Sequence, residues 1–367
     1  MTRATAALTA LAILFGTPAA DAQGQQHRHR EDRHSRGRLS VVTTQSVYAA
    51  LARAVGGDLV TATSIADPAE DAHFVRPRPS FAMDIRRADV FVTTGLDLEL
   101  WVPVLLDKAG NPNVMEGGRG YVTAYTGIRL LEIPASLDRS AGDVHVYGNP
   151  HLHTDPLRAL QVARNVAAGL RSVAPDLAPA VDRNLAAFSD SLYRRLFGDS
   201  LVDLVGGELL ANLALSGRLL PFLEQQTHAG APLADRLGGW LGAAAPFRGR
   251  DMICYHKNWA YFEERFGVRC AGYVEPRPGI PPTPSHVARL IDLMHNRGIR
   301  VLLAASYFSR RGVESVAARG DAEAVIVPLN TGTAGVESYF DLVDLWVRSV
   351  AAAFRRTSGA TPVGGAP

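Results

Sequence analysis

The sequence predicts an α/β protein made of two βαβ lobes with parallel sheets, joined by a long linking helix. Three observations lead there. Short β-branched runs alternate with helical spacing up to about residue 155, the pattern then becomes purely helical, and strand–helix alternation resumes after residue 250. A chain of 367 residues is long enough for two domains with a core in each.

The first lobe opens with Leu39–Thr44, a run apolar enough for a buried strand. A helix over Ser46–Val55 follows and stops at Gly56-Gly57. Leu59–Ile65 and Ala88–Thr94 read as the next strands, and Arg129–Ile133 as a fourth. Leu160, Ala163, Val166, Leu170 and Val173 then share one helical face. Val181, Leu185, Phe188, Leu192 and Leu196 share a second, after a break at Pro175-Asp176. Residues 198–248 are rich in Leu and Gly and read as helical hairpins. The second lobe has strands at Met252–Tyr255, Val268–Val274, Val301–Ala305 and Ala324–Pro328, and a closing helix over Ser338–Phe354. The expected boundaries are therefore 39–155, 156–250 and 251–355, with a disordered tail over 356–367.

The N-terminus carries export signals. Arg3 precedes an uncharged run, Ala4–Ala20, and Ala20-Asp21-Ala22 offers small residues at the cleavage positions, so 1–22 reads as a signal peptide. Its apolar stretch is too short for a permanent anchor, and the polar segment after it argues against a buried helix. Residues 23–38 hold His27, His29 and His34 with almost no apolar residue, which suits a flexible arm that either collects metal weakly or is a solvated linker. Thirty-eight basic residues against 36 acidic give a net charge of +2, which points to no nucleic-acid surface. Cys254 and Cys270 lie in successive strands, either as a disulfide of an exported protein or as two small buried hydrophobes.

Chemistry concentrates in three histidines. His73 follows the second strand in Asp71-Ala72-His73-Phe74-Val75-Arg76-Pro77-Arg78-Pro79-Ser80, His151 sits in Asn149-Pro150-His151-Leu152-His153-Thr154-Asp155-Pro156, and His256 leaves a strand in Cys254-Tyr255-His256. The carboxyl ends of parallel strands are where ligands bind, so His73 and His256 would face a crevice from opposite lobes. The chain has no CxxC, HExxH, phosphate loop or G-x-S-x-G elbow to suggest other chemistry.

These segments, with Thr94-Gly95-Leu96-Asp97-Leu98-Glu99-Leu100-Trp101 and Tyr255-His256 leading to Phe266-Gly267, resemble the metal-binding receptors of zinc and manganese ABC importers. The resemblance runs from about Leu39 to Phe354. It implies a C-clamp receptor of the periplasm that is not an enzyme and acts as a monomer. It implies His73, His151 and His256 as ligands of the carried metal, and an inner-membrane ABC permease as partner. Three neutral imidazoles favour Zn²⁺, while Mn²⁺ prefers the carboxylate oxygens that this chain lacks in the loop 327–335. Water, Glu337 or Asp341 is left for the fourth position. Residues 198–248 look like an insertion whose His228 would approach the crevice. The competing readings are a zinc chaperone for a periplasmic metalloenzyme, an exported zinc hydrolase with Glu275 or Glu337 as base, and a receptor for a non-metal solute.

Overall fold

The computed structural model describes residues 37–134, 145–277, 279–333 and 335–358. The expected signal peptide and nearly all of the His-rich arm lie outside these residues. In the first lobe, β1 (Leu39–Thr43), α1 (Ser46–Gly56), β2 (Val60–Ser64), α2 (Pro79–Arg87), β3 (Val90–Thr93), α3 (Val102–Ala109) and β4 (Tyr121–Thr123) follow one another. The four strands pair in parallel in the order β2-β1-β3-β4. The inner strands β1 and β3 are apolar along nearly their whole length because helices or core cover both faces. The edge strand β2 alternates between inward and outward residues.

Two long helices connect the lobes. α4 (Pro156–Val173) spans 18 residues and α5 (Ala178–Phe197) 20. Leu160, Ala163, Val166 and Leu170 on α4 are at most 1 % exposed. They belong to one apolar cluster that also contains Val41 of β1 and Leu303 and Trp346 of the second lobe. The core therefore runs unbroken from lobe to lobe through the connector. α6 (Asp199–Val205), α7 (Gly207–Leu215) and α8 (Leu219–Gln225) follow, then a small hairpin of β5 (Thr227–His228) and β6 (Ala231–Pro232) and the short α9 (Gly239–Ala243).

The second lobe repeats the first. β7 (Asp251–Cys254), α10 (Ala260–Phe266), β8 (Arg269–Tyr273), α11 (Pro284–Arg297), β9 (Val301–Ala305), α12 (Arg310–Arg319) and β10 (Glu323–Val327) build a parallel sheet in the order β10-β9-β7-β8. α13 (Tyr339–Ser358) closes the chain. Cys254 and Cys270 are disulfide-bonded across β7 and β8, which settles the alternative left open by the sequence.

Three expectations need correction. The fourth strand is Tyr121–Thr123 and not Arg129–Ile133. The latter run is apolar, but its backbone groups are spent at the lobe interface. Leu131 N–H donates to the Tyr261 hydroxyl, its carbonyl accepts from Asn149 N–H, and Glu132 sits at φ 53°, outside strand geometry. The last helix reaches Ser358, so residues 356–358 are helical where a disordered tail was expected. The stretch 198–248 contains a two-strand hairpin as well as helices.

A buried ionic cluster fastens the lobes at the start of α4. Asp155 caps that helix by accepting Leu157 N–H, and it accepts both Nε and Nη2 of Arg265 on α10, at 2.8 and 2.9 Å. Arg158 donates to Asp155 at 2.6 Å, pairs with Glu264 of α10 at 2.7 Å, and lies 4.5 Å over the Tyr261 ring. All of Asp155, Arg158 and Arg265 are buried, so each charge depends on its partners. Burial by itself would raise the Asp155 carboxyl, but Arg265 and Arg158 outweigh it and hold the group below its usual range. A second seam joins Ser46 and Thr331, whose hydroxyls donate to each other's carbonyls at 2.6 and 2.9 Å.

Two stability outcomes follow from these contacts. Asp155→Ala leaves two buried guanidinium groups without their anion and lowers unfolding stability by about 3–5 kcal/mol, as read by urea denaturation. Glu263 on α10 behaves differently. Burial pushes its carboxyl up to about 7, against the pull of the Cys270 N–H that donates to it. A carboxyl raised in the fold contributes its full stability below its unfolded value, about 4.5, and loses it as pH rises through 7. Glu263→Gln is therefore stabilising at pH 8 by up to about 3 kcal/mol, and this gain vanishes by pH 5 in thermal melts.

Candidate metal centre

His73 lies in a short 3₁₀ turn, Ala72–Phe74, just beyond β2. Asp71 starts the turn, accepting His73 N–H at 3.0 Å and the ring Nδ1–H at 2.5 Å. Burial would raise this carboxyl, yet its bonds to His73 keep it below the usual carboxylate range. Trp101 Nε1–H donates to Ala72 O at 2.8 Å and braces the same turn. Glu99, buried beneath, accepts from the hydroxyls of Thr44 and Thr94 at 2.7 and 2.6 Å, pinning the carboxyl ends of β1 and β3 together.

His151 stands immediately before the turn Leu152–Thr154 that leads into α4. Its backbone N–H and its ring Nδ1–H both donate to Asn149 Oδ1 at 3.0 Å. The Asn149 amide donates to Lys257 O of the second lobe, and its carbonyl accepts the Tyr261 hydroxyl at 2.6 Å. His256 comes off the end of β7, two residues after Cys254, and its Nδ1–H donates to Glu275 O at 2.7 Å.

The three rings meet between the lobes. Ring centres lie 5.7 Å apart for His73 and His151 and 6.3 Å apart for His73 and His256. A fourth ring, His145, joins them at 5.0 Å from His73 and 6.1 Å from His151. A Zn²⁺ ion shared tetrahedrally at about 2.1 Å from each nitrogen would set ring centres about 5 Å apart. The crevice stands slightly wider than that. As the rings are placed, no group of three or more His, Cys, Asp or Glu among the described residues has coordinating geometry. Asn258 Nδ2 donates to His151 Nε2 at 3.0 Å and must move aside for that nitrogen to bind anything else. Burial and the surrounding histidines pull the His151 imidazole well below its usual value, so it is neutral at physiological pH.

His153 is separate from this cluster. It is fully buried, donates Nε2–H to Leu329 O at 3.0 Å, and packs against Tyr48 and Trp346. Burial lowers it to about 4, which keeps it neutral. Neither acid expected for the fourth position is in the crevice. Glu337 is exposed, and Asp341 accepts the N–H and hydroxyl of Ser338 at the start of α13. His228 is exposed on the β5–β6 hairpin. The loop 328–333 serves the lobe interface through Leu329 and Thr331.

Two parallel-sheet lobes, a long helical connector and a histidine-lined crevice define the class of two-lobed solute receptors. Within it, the chain belongs to the ZnuA family, zinc-uptake complex component A, periplasmic, which it matches over residues 41–194 and 240–353. It is thus a periplasmic metal-binding receptor of an ABC importer. The unmatched residues 195–239 hold α6 to α8 and the hairpin. The chain is 23% identical to the iron-binding protein YfeA of Yersinia pestis, covering 86% of each. It is 25% identical to the manganese ABC transporter substrate-binding lipoprotein PsaA of Streptococcus pneumoniae, over 83% of this chain and 82% of that one. Its fold matches a zinc-bound ZnuA deletion mutant with a TM-score of 0.64 at 19% identity, covering 89% of this chain and all of that one.

Proposed function

We propose that this protein is a periplasmic Zn²⁺ receptor that loads the ion onto His73, His151 and His256 and delivers it to an inner-membrane ABC permease. The observation that carries the reading is the convergence of imidazoles from both lobes, each with Nδ1 committed to a fixed oxygen, so that Nε2 is the nitrogen that would coordinate. Neutral nitrogen donors suit Zn²⁺, whereas Mn²⁺ prefers carboxylate oxygen. The carboxylates nearest the rings are already engaged. Asp71 holds His73, and Glu275 accepts Gly279 N–H at 2.9 Å. The relatives are named for iron, manganese and zinc, so the family alone does not choose the cargo, and the donor chemistry is what supports Zn²⁺ here. Among the described residues no helix is long and apolar enough to cross a membrane. A soluble receptor released by cleavage after Ala22 agrees with that.

Elemental analysis and isothermal titration of the untagged protein test the reading. One Zn²⁺ binds per chain, more tightly than Mn²⁺, and His73→Ala, His151→Ala and His256→Ala each weaken it by about 100-fold or more while the protein stays folded. His153→Ala retains wild-type affinity, because that ring faces Leu329. A His153→Ala variant that loses zinc while His151→Ala keeps it would refute the assignment. Protons compete with the metal for Nε2, so affinity drops by at least about tenfold between pH 7.5 and 5.5.

A further inference from the structure

We infer that His145 is a further metal-binding residue of this crevice, completing a donor set of four imidazole nitrogens. The inference rests on the reading of the crevice as a Zn²⁺ site and adds a residue that none of the family-like segments contains.

His145 is held as tightly as the other three rings. Its side chain is 4% exposed, and Nδ1–H donates to Asp97 Oδ1 at 2.9 Å. The second oxygen of Asp97 accepts Val146 N–H at 2.9 Å, so one carboxylate fixes both the ring and the backbone that carries it. With the proton on Nδ1, Nε2 bears a lone pair. That nitrogen lies 3.0 Å from Nε2 of His73, whose Nδ1 proton is likewise committed, to Asp71. At that distance a single cation can take a nitrogen from each ring in place of the hydrogen bond between them. Tetrahedral coordination at Zn–N distances of about 2.1 Å sets the nitrogens about 3.4 Å apart, close to the separation found.

The other donors in reach have different employment. Asp71 and Asp97 each orient an imidazole, and Glu275 is bound to Gly279 N–H. The two Nδ1-bound carboxylates place negative charge behind the rings without offering oxygen to the ion. Such a set discriminates against Mn²⁺, which favours oxygen, and suits Zn²⁺.

Zinc K-edge absorption of the full-length wild-type protein counts the imidazoles directly, and titrations of His145→Ala, His145→Asp and Asp97→Asn measure their effect. Four nitrogen neighbours are expected in the wild type. Asp97→Asn loosens Zn²⁺ by about tenfold, and His145→Ala loosens it further and brings one oxygen into the shell. His145→Asp retains binding but narrows the preference for Zn²⁺ over Mn²⁺. Three imidazoles plus an oxygen in the wild type, with unchanged affinity in His145→Ala, would overturn the role of His145 and leave the receptor reading intact. A wild-type protein that takes up no stoichiometric zinc overturns both. If His145→Ala fails to fold, the wild-type spectrum alone decides.

Discussion

The organisation of this molecule depends on one repeated constraint, the pinning of each crevice imidazole through Nδ1. Asp71, Asp97, Asn149 and the carbonyl of Glu275 each accept that proton from one ring. A histidine otherwise chooses between two tautomers and swings about its side-chain bonds. Fixing Nδ1 as the donor decides the tautomer, the ring plane and the direction of Nε2 together. His153 supplies the contrast within the same short segment. There Nε2 carries the proton and faces Leu329, and the ring contributes to packing between the lobes.

Orienting the rings is useful only if the two lobes hold still relative to each other. Apolar packing does much of this, since the core cluster passes from β1 through α4 to α13 without a gap. Polar contacts set the register more finely. Asn149 joins the His151 segment to Lys257 beside His256, and Asp155 gathers Arg158 and Arg265 a few residues later. The phrase Asn149-Pro150-His151…Asp155-Pro156 therefore does three tasks in eight residues: it orients a ring, caps the connecting helix and fastens the second lobe.

Much of this was legible in the sequence. The inner strands announce themselves because burial on both faces demands unbroken apolar runs, and the parallel α/β plan follows from their alternation with helices. His73, His151 and His256 stood out because each leaves the end of an element. His145 did not, since it precedes the recognisable segment and its orienting partner, Asp97, occupies the variable position within Gly95-Leu96-Asp97-Leu98-Glu99. Only the tertiary fold brings those two together over 48 positions. Arg129–Ile133 misled for a related reason. Its side chains are strand-like, but Tyr261 and Asn149 claim its backbone groups. The loop 327–335 offers no acid, and its buried Leu329 and Thr331 hold the lobes together.

The Cys254–Cys270 bridge has a bearing on where this protein can become complete. It ties the carboxyl end of β7, two residues before His256, to β8. In a reducing compartment that covalent tie does not persist, and the His256 wall then relies on strand pairing, packing and the bond from His256 to Glu275 O. The bridge thus adds its stiffness beside His256 only in an oxidising compartment, as the periplasm of this family is.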